Sequence, residues 1–306
     1  MKPKELLVNF GYWSAWNVAG KLPDQVIRRL FSLIAIILWR TKSKGVLQLE
    51  LNLSRALKLD PQSAQIRDLS RKNITNYFRY YAEIFLLPKW NSAQILQKVE
   101  VRNLDPVFKS VEKGGVVLVL PHSGNWDLAG AWAAKTFGSL CTVAERLKPE
   151  GVYRKFLKMR TEKGLTLLPL AGDGNPYEFL KDHLISGMPV ALLGDRDVSG
   201  SGMLVDFFGA QAKLPIGPAM LALDTKSPIF TCSTWYENEK LIIEFDDEIV
   251  YQFESLSGRQ LIKAAQDLTG KVAKRFERHI NNHPEAWHQL QPIWSDLNIQ
   301  KRNDEQ

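Results

Sequence analysis

The sequence predicts an α/β fold built on a mainly parallel sheet with helices on both of its faces. From about residue 100 onward, short runs of apolar and β-branched residues alternate with segments of helical periodicity. The chain has 306 residues and is 45% apolar, which suits one large domain with a substantial core. We therefore expect a single domain, 1–306, with a basic helical part at 1–95 and an α/β core at 96–306.

The individual elements follow from the same periodicities. Strands are predicted near 116–120, 140–144, 165–170, 189–194, 204–208, 228–235 and 241–246, and helices near 66–87, 127–137, 149–163, 175–187, 216–226 and 256–282. The last two strands are predicted to form an antiparallel hairpin, because the polar turn Glu237-Asn238-Glu239 separates them.

The positive charge lies in the amino-terminal third of the chain. Residues 1–90 carry a balance of +9, whereas the rest of the chain carries −2. Such a surface suits either nucleic acid or an anionic membrane. The run 30–39 is ten nearly unbroken apolar residues between basic flanks: Arg28, Arg29, Arg40, Lys42 and Lys44. Ten residues are too few to span a bilayer, which needs about 20.

Aromatic residues precede that run, at Phe10, Tyr12, Trp13 and Trp16 within the segment 6–18. Aromatic and basic side chains together are typical of helices that lie in the membrane interface. We therefore expect an amino-terminal membrane-associated segment and no nucleic acid partner. The alternative is that these helices simply pack on the core, and both interpretations can hold for different faces.

The most informative motif is Pro121-His122-Ser123-Gly124-Asn125-Trp126-Asp127, directly after the apolar run 114–120. His122 is thus predicted at the carboxyl end of a buried strand, where open α/β sheets bind their ligands. Asp127 falls in the first turn of the next helix. A histidine and a carboxylate so placed can act as a general base and the group that orients it.

The sequence of residues 120–127 resembles the His-x-x-x-x-Asp signature of the glycerolipid, lysophospholipid and lipid A acyltransferases. It most closely resembles that of the phosphatidylinositol mannoside acyltransferases. Four further segments resemble that branch in the same order: 142–150, 205–209, 216–219 and 283–294. The resemblance covers about residues 100 to 295. It implies a glycerolipid-acyltransferase-like fold, with His122 as the base, Asp127 orienting it and Arg160 as an electrostatic stabiliser.

Two other groups follow strand-like runs. The resemblance places a glutamate where this chain has Asp195, so that this carboxylate is expected to contact His122 either directly or through water; the other interpretation is an acidic turn. Glu145, Arg146 and Lys148 follow the run 140–144, where cations suit the phosphates of coenzyme A or a phospholipid. Asn125, in the His122 turn, completes the predicted substrate-binding set.

Other chemistries lack their motifs. His279 and His283 are four residues apart and His288 lies beyond, but Pro284 breaks the helix and no cysteine cluster supports a metal site. There is no Gly-x-Ser-x-Gly elbow and no glycine-rich phosphate loop. Cys141 and Cys232, the two cysteines, lie in apolar runs and are predicted to be buried, reduced thiols in a cytosolic compartment.

The resemblance therefore predicts an acyltransferase that uses acyl-CoA, with palmitoyl as the acyl group, as co-substrate and needs no cofactor. The expected acceptor is a mannose of a phosphatidylinositol mannoside, and the expected location is the cytoplasmic face of the cell membrane, bound peripherally. Two alternatives remain open: an acyltransferase for another lipid, such as a lipid A precursor or lysophospholipid, and a non-catalytic membrane-binding protein.

Overall fold

The computed structural model describes Trp16 and residues 21–146, 148–169, 175–198, 200–251 and 257–297. Apart from Trp16, the aromatic segment predicted at 6–18 lies outside these residues.

The strands within the described residues form two sheets. They are β1 Val99–Arg102, β2 Val117–Leu120, β3 Leu140–Ala144, β4 Leu165–Pro169, β5 Val190–Leu193, β6 Met203–Phe207, β7 Ala210–Leu214, β8 Ile229–Glu237 and β9 Lys240–Phe245. The main sheet has seven strands in the order β1-β9-β8-β2-β5-β3-β4. Five of them, β8, β2, β5, β3 and β4, run parallel to one another. The prediction of a mainly parallel sheet is confirmed.

The edge of the sheet near β9 differs from the rest. β9 pairs antiparallel with β8, as the turn at 237–239 predicts, and β1 then pairs parallel with β9. β1 was not expected, because Val-Glu-Val-Arg alternates over only four residues. The run predicted at 204–208 forms β6, which pairs with β7 in a separate antiparallel ribbon. Phe208 and Gly209, both with positive φ, make the tight turn between them.

The helices within the described residues are α1 Asp24–Arg40, α2 Lys44–Leu57, α3 Ala64–Leu86, α4 Ser92–Lys98, α5 Asp105–Val111, α6 Trp126–Thr136, α7 Glu150–Glu162, α8 Pro176–Ile185, α9 Gly217–Thr225 and α10 Gly258–Asn282. Short 3₁₀ turns follow at Leu87–Lys89, Pro284–Ala286 and Ser295–Leu297. Among the described residues, no helix combines the length and the apolar character that crossing a membrane requires.

The core has two layers because successive side chains of a strand face opposite sides of the sheet. In β2, Leu118 and Leu120 join a buried cluster with α6 and α7, whereas Val117 and Val119 join a second cluster with α2 and α10. The near-continuous apolar character of β2 follows from this burial on both faces. Both layers converge on the carboxyl end of β2, where the His122 motif begins.

Candidate active site

The loop from Pro121 to Asn125 is held between β8 and the segment that follows α10. The Thr234 hydroxyl donates to the Ser123 carbonyl, and the Thr234 amide donates to Ser123 Oγ at 3.2 Å. On the other side, the amide of His288 donates to the carbonyl of His122 at 2.7 Å, and that of Gly124 to the carbonyl of Ala286 at 3.0 Å. The backbone of His122 is therefore fixed from two directions.

Gly124 makes this close packing possible. Its φ is +53°, and a Cβ atom there would lie 2.6 Å from both the carbonyl oxygen and the Oγ1 of Thr234. Any other residue would combine backbone strain with a clash against β8. The Ser-Gly-Asn turn is thus the part of the motif that sets where His122 sits.

His122 and Asp195 form a direct pair. Nδ1 of His122 lies 2.6 Å from Oδ1 of Asp195, which comes from the end of the neighbouring strand β5. The His122 side chain is 18% exposed and that of Asp195 is fully buried. Because an ionised carboxylate only accepts hydrogen bonds, Nδ1 carries the proton and Nε2 keeps its lone pair. The contact is direct, without an intervening water.

Asp195 is held by further donors. Trp287 Nε1 donates to Oδ2 at 2.9 Å, and Gln289 Nε2 lies 3.4 Å from the same oxygen. Burial by itself raises the pKa of Asp195, but His122 and the hydrogen bond from Trp287 outweigh it and hold the pKa below its usual value. The carboxylate is therefore ionised at neutral pH and accepts the hydrogen bond from His122 Nδ1.

Asp127 is placed differently from the prediction. Its Oδ1 accepts from Arg160 Nε at 2.5 Å, and its Oδ2 accepts from Arg160 and, at 2.9 Å, from the hydroxyl of Tyr80. The expectation that Asp127 orients His122 is thus corrected: Asp195 holds the imidazole, and Asp127 holds Arg160. The physical reason is that α6 turns the Asp127 side chain toward α3 and α7.

The Arg160 guanidinium is consequently oriented and charged. Burial lowers the pKa of Arg160, but the adjacent Asp127 carboxylate outweighs this and raises the pKa above its ordinary value. Arg160 lines the same cavity as His122, and the two contacts to Asp127 use only part of its five N–H donors.

Asn125 is also placed differently. Its side chain is buried, with Oδ1 accepting from the amide of Leu128 at 2.9 Å and Nδ2 donating to Glu83 Oε2 at 2.9 Å. Both ends of the amide are used to cap α6 and to join it to α3. The predicted contact with substrate is therefore corrected to a structural role.

The predicted phosphate-binding residues lie at the carboxyl end of β3. Glu145 pairs with Arg196 at 3.0 Å, and both line the cavity together with Lys148, which is exposed. Arg146 is half-exposed and pairs with Glu150 at 3.0 Å; it is not among the described residues that line the cavity. The structure thus brings Glu145, Lys148 and His122, but not Arg146, to the described lining of one cavity.

That cavity has a volume of about 760 Å³ and two kinds of wall. The deep wall is apolar and lies between the sheet and α6 and α7; it includes Leu118, Leu120, Ala129, Trp132, Phe156 and Phe245. The wall beside His122 is aromatic and includes Tyr77, Tyr80, Tyr81 and Trp126. A histidine–aspartate pair and an oriented arginine therefore stand where a long apolar tail and a polar group can meet.

Comparisons with known proteins identify the family. A sequence profile described as bacterial lipid A biosynthesis acyltransferase matches residues 1–296. The chain belongs to this acyltransferase family.

Among curated proteins, the phosphatidylinositol mannoside acyltransferase of Mycolicibacterium smegmatis is 34% identical over 299 residues, covering 97% of this chain and 94% of that protein. The phosphatidylinositol mannoside acyltransferase of Mycobacterium tuberculosis strain H37Rv is 34% identical over 300 residues, covering 96% and 91%. The crystal structure of the 1-acyl-sn-glycerophosphate acyltransferase PlsC from Thermotoga maritima matches with a TM-score of 0.36 at 12% identity, covering 82% of this chain and 98% of that one.

Three other histidines of the acyltransferase make separate contacts. His279 binds the Asp246 carboxylate and Ser233, His283 stacks on Trp235 with ring centroids 3.9 Å apart, and His288 lies beside His122. No group of three or more metal-ligating side chains occurs among the described residues. Cys141 and Cys232 are buried and free. Burial raises the pKa of each thiol to about 12, so neither is a thiolate at neutral pH.

Sequence reasoning missed His288 as a site residue. Asn73 donates through Nδ2 to the carbonyls of Pro284 and Trp287, which leaves its Oδ1 to accept from His288 Nδ1 at 3.1 Å. Burial lowers the pKa of His288 to about 3, so the ring is neutral and Nε2 is an acceptor. Nε2 is buried without a hydrogen-bond partner among the described residues, and the ring lines the cavity.

Tyr80, Trp287 and Gln289 were missed as well. For Trp287 and Gln289 the usable signal was the segment 283–294, where polar side chains interrupt an aromatic stretch without helical or strand periodicity. Such a segment has no packing pattern of its own, and its polar groups need partners elsewhere.

Proposed function

We propose that this acyltransferase moves a long acyl chain from an acyl-CoA thioester to a mannose hydroxyl of a phosphatidylinositol mannoside. The observation that carries the proposal is the His122–Asp195 pair at the junction of an apolar cavity and an aromatic wall. The acceptor is taken from the resemblance and from the names of relatives that align over nearly the whole chain. The palmitoyl chain is taken from the resemblance alone.

The reaction follows from the pair. Nε2 of His122 takes the proton from the acceptor hydroxyl while its oxygen attacks the thioester carbonyl carbon. Asp195 stabilises the resulting imidazolium. The tetrahedral oxyanion then collapses, the carbon–sulfur bond breaks, and the departing CoA thiolate takes the proton back from His122. An ester and free CoA are formed, without a covalent acyl-enzyme and without a cofactor.

Arg160 has the remaining charge-stabilising role. Because Asp127 already orients the guanidinium, little reorganisation is needed when negative charge develops on the carbonyl oxygen. Its unused N–H donors can face that oxygen. In this scheme Asp127 acts on the reaction through Arg160.

Different parts of the cavity suit different parts of the two substrates. The acyl chain would lie against the apolar wall between the sheet and α6. Lys148 and Arg196 at the strand ends suit the phosphates of coenzyme A. The acceptor sugar would lie on the aromatic side, beside the ring of His288.

A membrane partner suits α1. Five of its apolar side chains are exposed, among them Leu33 at 60% and Ile37 at 62%; the others are Val26, Leu30 and Leu38. The exposed cations Arg29, Arg40, Lys42 and Lys44 lie on or next to this helix. Apolar and basic side chains together favour the anionic surface of a bilayer. We propose peripheral docking at the cytoplasmic face of the cell membrane through α1.

An acceptor panel tests the function. Purified protein would be given radiolabelled palmitoyl-CoA with phosphatidylinositol mannosides, with a lipid A precursor, with a lysophospholipid, or with no acceptor. Labelled product with the mannosides alone is expected. Product with another lipid instead would show that this lipid, and not the mannoside, is the acceptor. No product with any lipid would contradict the proposal.

A further inference from the structure

Glu83, near the end of α3, joins four elements through one buried carboxylate. It is 2% exposed. Its Oε2 accepts from Asn125 Nδ2 at 2.9 Å and from the Tyr236 hydroxyl at 2.7 Å. Its Oε1 accepts from Arg79 Nε at 3.1 Å and lies 3.3 Å from the guanidinium of Arg28 on α1.

The contact with Asn125 determines which way that amide points. A carboxylate only accepts, so it must face Nδ2, and Oδ1 is then directed at the amide of Leu128 as the cap of α6. A side chain that could donate at position 83 would allow the amide to turn over and remove the cap. Such caps stabilise the first turn of a helix.

The first turn of α6 carries Asp127, which holds Arg160. Asn125 also ends the loop that carries His122. Through Asn125, Glu83 is therefore connected to the loop of His122 and to the helix turn that holds Arg160. Glu83 itself is not among the described residues that line the cavity.

Arg28 and Arg79 need the negative charge of the Glu83 carboxylate. Arg28 Nε and Arg79 Nη2 are buried without a hydrogen-bond partner among the described residues. Arg79 also stacks 3.8 Å over the ring of Tyr236 and donates to the carbonyl of Asn238 at 2.7 Å, and Arg28 pairs with Glu239. The negative charge at Glu83 thus offsets two partly buried positive charges in contact with the β8–β9 turn.

We propose that Glu83 is a positioning residue for acyl transfer. It fixes the Asn125 amide, and through it the start of α6, so that Asp127 holds Arg160 where the reaction needs a cation. The inference rests on the proposed reaction at His122, but its structural half can be tested without any substrate.

The variant is Glu83→Gln, and its matched control is Asp246→Asn. Asp246 is a buried carboxylate that contacts Thr231, Arg278 and His279, and neither it nor these partners are among the described residues that line the cavity. Both variants lose a buried charge, so both are expected to lower the melting temperature. We expect Glu83→Gln to reduce kcat about 10- to 100-fold with little change in KM for acyl-CoA, whereas Asp246→Asn keeps kcat. Equal effects of the two variants on kcat would overturn the proposal.

A compensating double variant tests the link between Glu83 and Asn125. In Glu83→Gln combined with Asn125→Asp, the glutamine amide can donate to the aspartate, which still caps α6. We expect kcat on the order of fivefold above that of Glu83→Gln alone, as coupled neighbours require. A double variant no better than the single one would overturn the link through Asn125.

Hydrogen exchange supplies the readout that is independent of activity. The amide of Leu128 should exchange faster in Glu83→Gln than in the wild type, and should be unchanged in Asp246→Asn. Unchanged exchange in Glu83→Gln would overturn the proposal. If the wild type transfers no acyl group but the two variants show this exchange pattern, the result would count against the proposed function alone.

Discussion

His122 Nδ1 and Asp195 Oδ1 lie 2.6 Å apart at the carboxyl ends of two neighbouring parallel strands. The separation of these residues in sequence is 73 positions, so the pair exists only because β2 and β5 are adjacent. In the proposed mechanism Asp195 therefore orients His122, while Asp127 contacts Arg160.

Asp195→Asn should reduce kcat by about 10²–10⁴-fold, because a neutral amide neither stabilises the imidazolium nor fixes the tautomer. The rate of acyl transfer by purified protein measures this. Asp206→Asn is the matched control, since Asp206 is half-exposed and pairs with Lys274. Near wild-type activity of Asp195→Asn would remove Asp195 from the mechanism.

Asp127→Asn should act through Arg160. Breaking a buried pair from one side costs about 3–5 kcal/mol of stability, and we expect kcat to fall with it. Arg160→Gln should have a similar effect on kcat, and the double variant should be no worse than either single variant. A double variant whose losses multiply would mean that the two side chains act independently.

Much of this arrangement follows from local sequence. The apolar runs around Val117–Leu120 and Val190–Leu193 predict buried strands, and their ends predict where His122 and Asp195 emerge. The turn at Gly124 also has a local cause. Local patterns identify such groups because the parallel strands place their carboxyl ends on one edge of the sheet.

The partner of each group is not local. Asp127 is five residues from His122 in sequence, which suggests a pair, but α6 directs it toward Tyr80 and Arg160. His288 and Trp287 come from a segment without periodicity, and their positions depend on Asn73 in α3. Likewise, nothing in the run 204–208 distinguishes a strand of the main sheet from one in a separate ribbon.

The stability of the protein should decrease in acid because His288 is buried in its neutral form. Its pKa is lowered to about 3 in the folded protein, whereas an unfolded histidine titrates near 6.5. The unfolded state therefore binds the extra proton between these values, and stability is lost as pH falls from about 6.5 to 3, by up to about 4–5 kcal/mol.

Urea unfolding at pH 7, 6, 5 and 4 measures this dependence. His288→Gln should show a flatter decline of the unfolding free energy with falling pH, whatever its stability at pH 7. His183→Gln, which changes a half-buried histidine on α8, is the control. An identical decline in the wild type and His288→Gln would show that His288 is not the titrating group.

Membrane docking should depend on the exposed face of α1. Leu33→Ser with Ile37→Ser should weaken binding to anionic vesicles, as should Arg29→Gln, Arg40→Gln, Lys42→Gln and Lys44→Gln together. Arg28 is left unchanged because it contacts Glu83. Binding should also weaken as salt rises, since exposed charges are screened over about 8–10 Å. Turnover of detergent-dispersed acceptor should be spared.

Vesicle cosedimentation provides the measurement, and Ile185→Ser with Ile262→Ser is the control. Those two side chains are 67% and 48% exposed but lie on α8 and α10. If the double serine variant of Leu33 and Ile37 and the quadruple glutamine variant both bind anionic vesicles like the wild type, α1 is not the docking surface.

The most direct test of the central claim is the single-turnover rate of palmitoyl transfer to phosphatidylinositol mannoside by His122→Ala. The side chain is partly exposed at the cavity, so the variant should fold, and its melting temperature checks this. The proposed general-base role predicts a rate about 10²–10⁴-fold below that of the wild type. A folded variant that keeps more than about a tenth of the wild-type rate would contradict the role of His122 as the base.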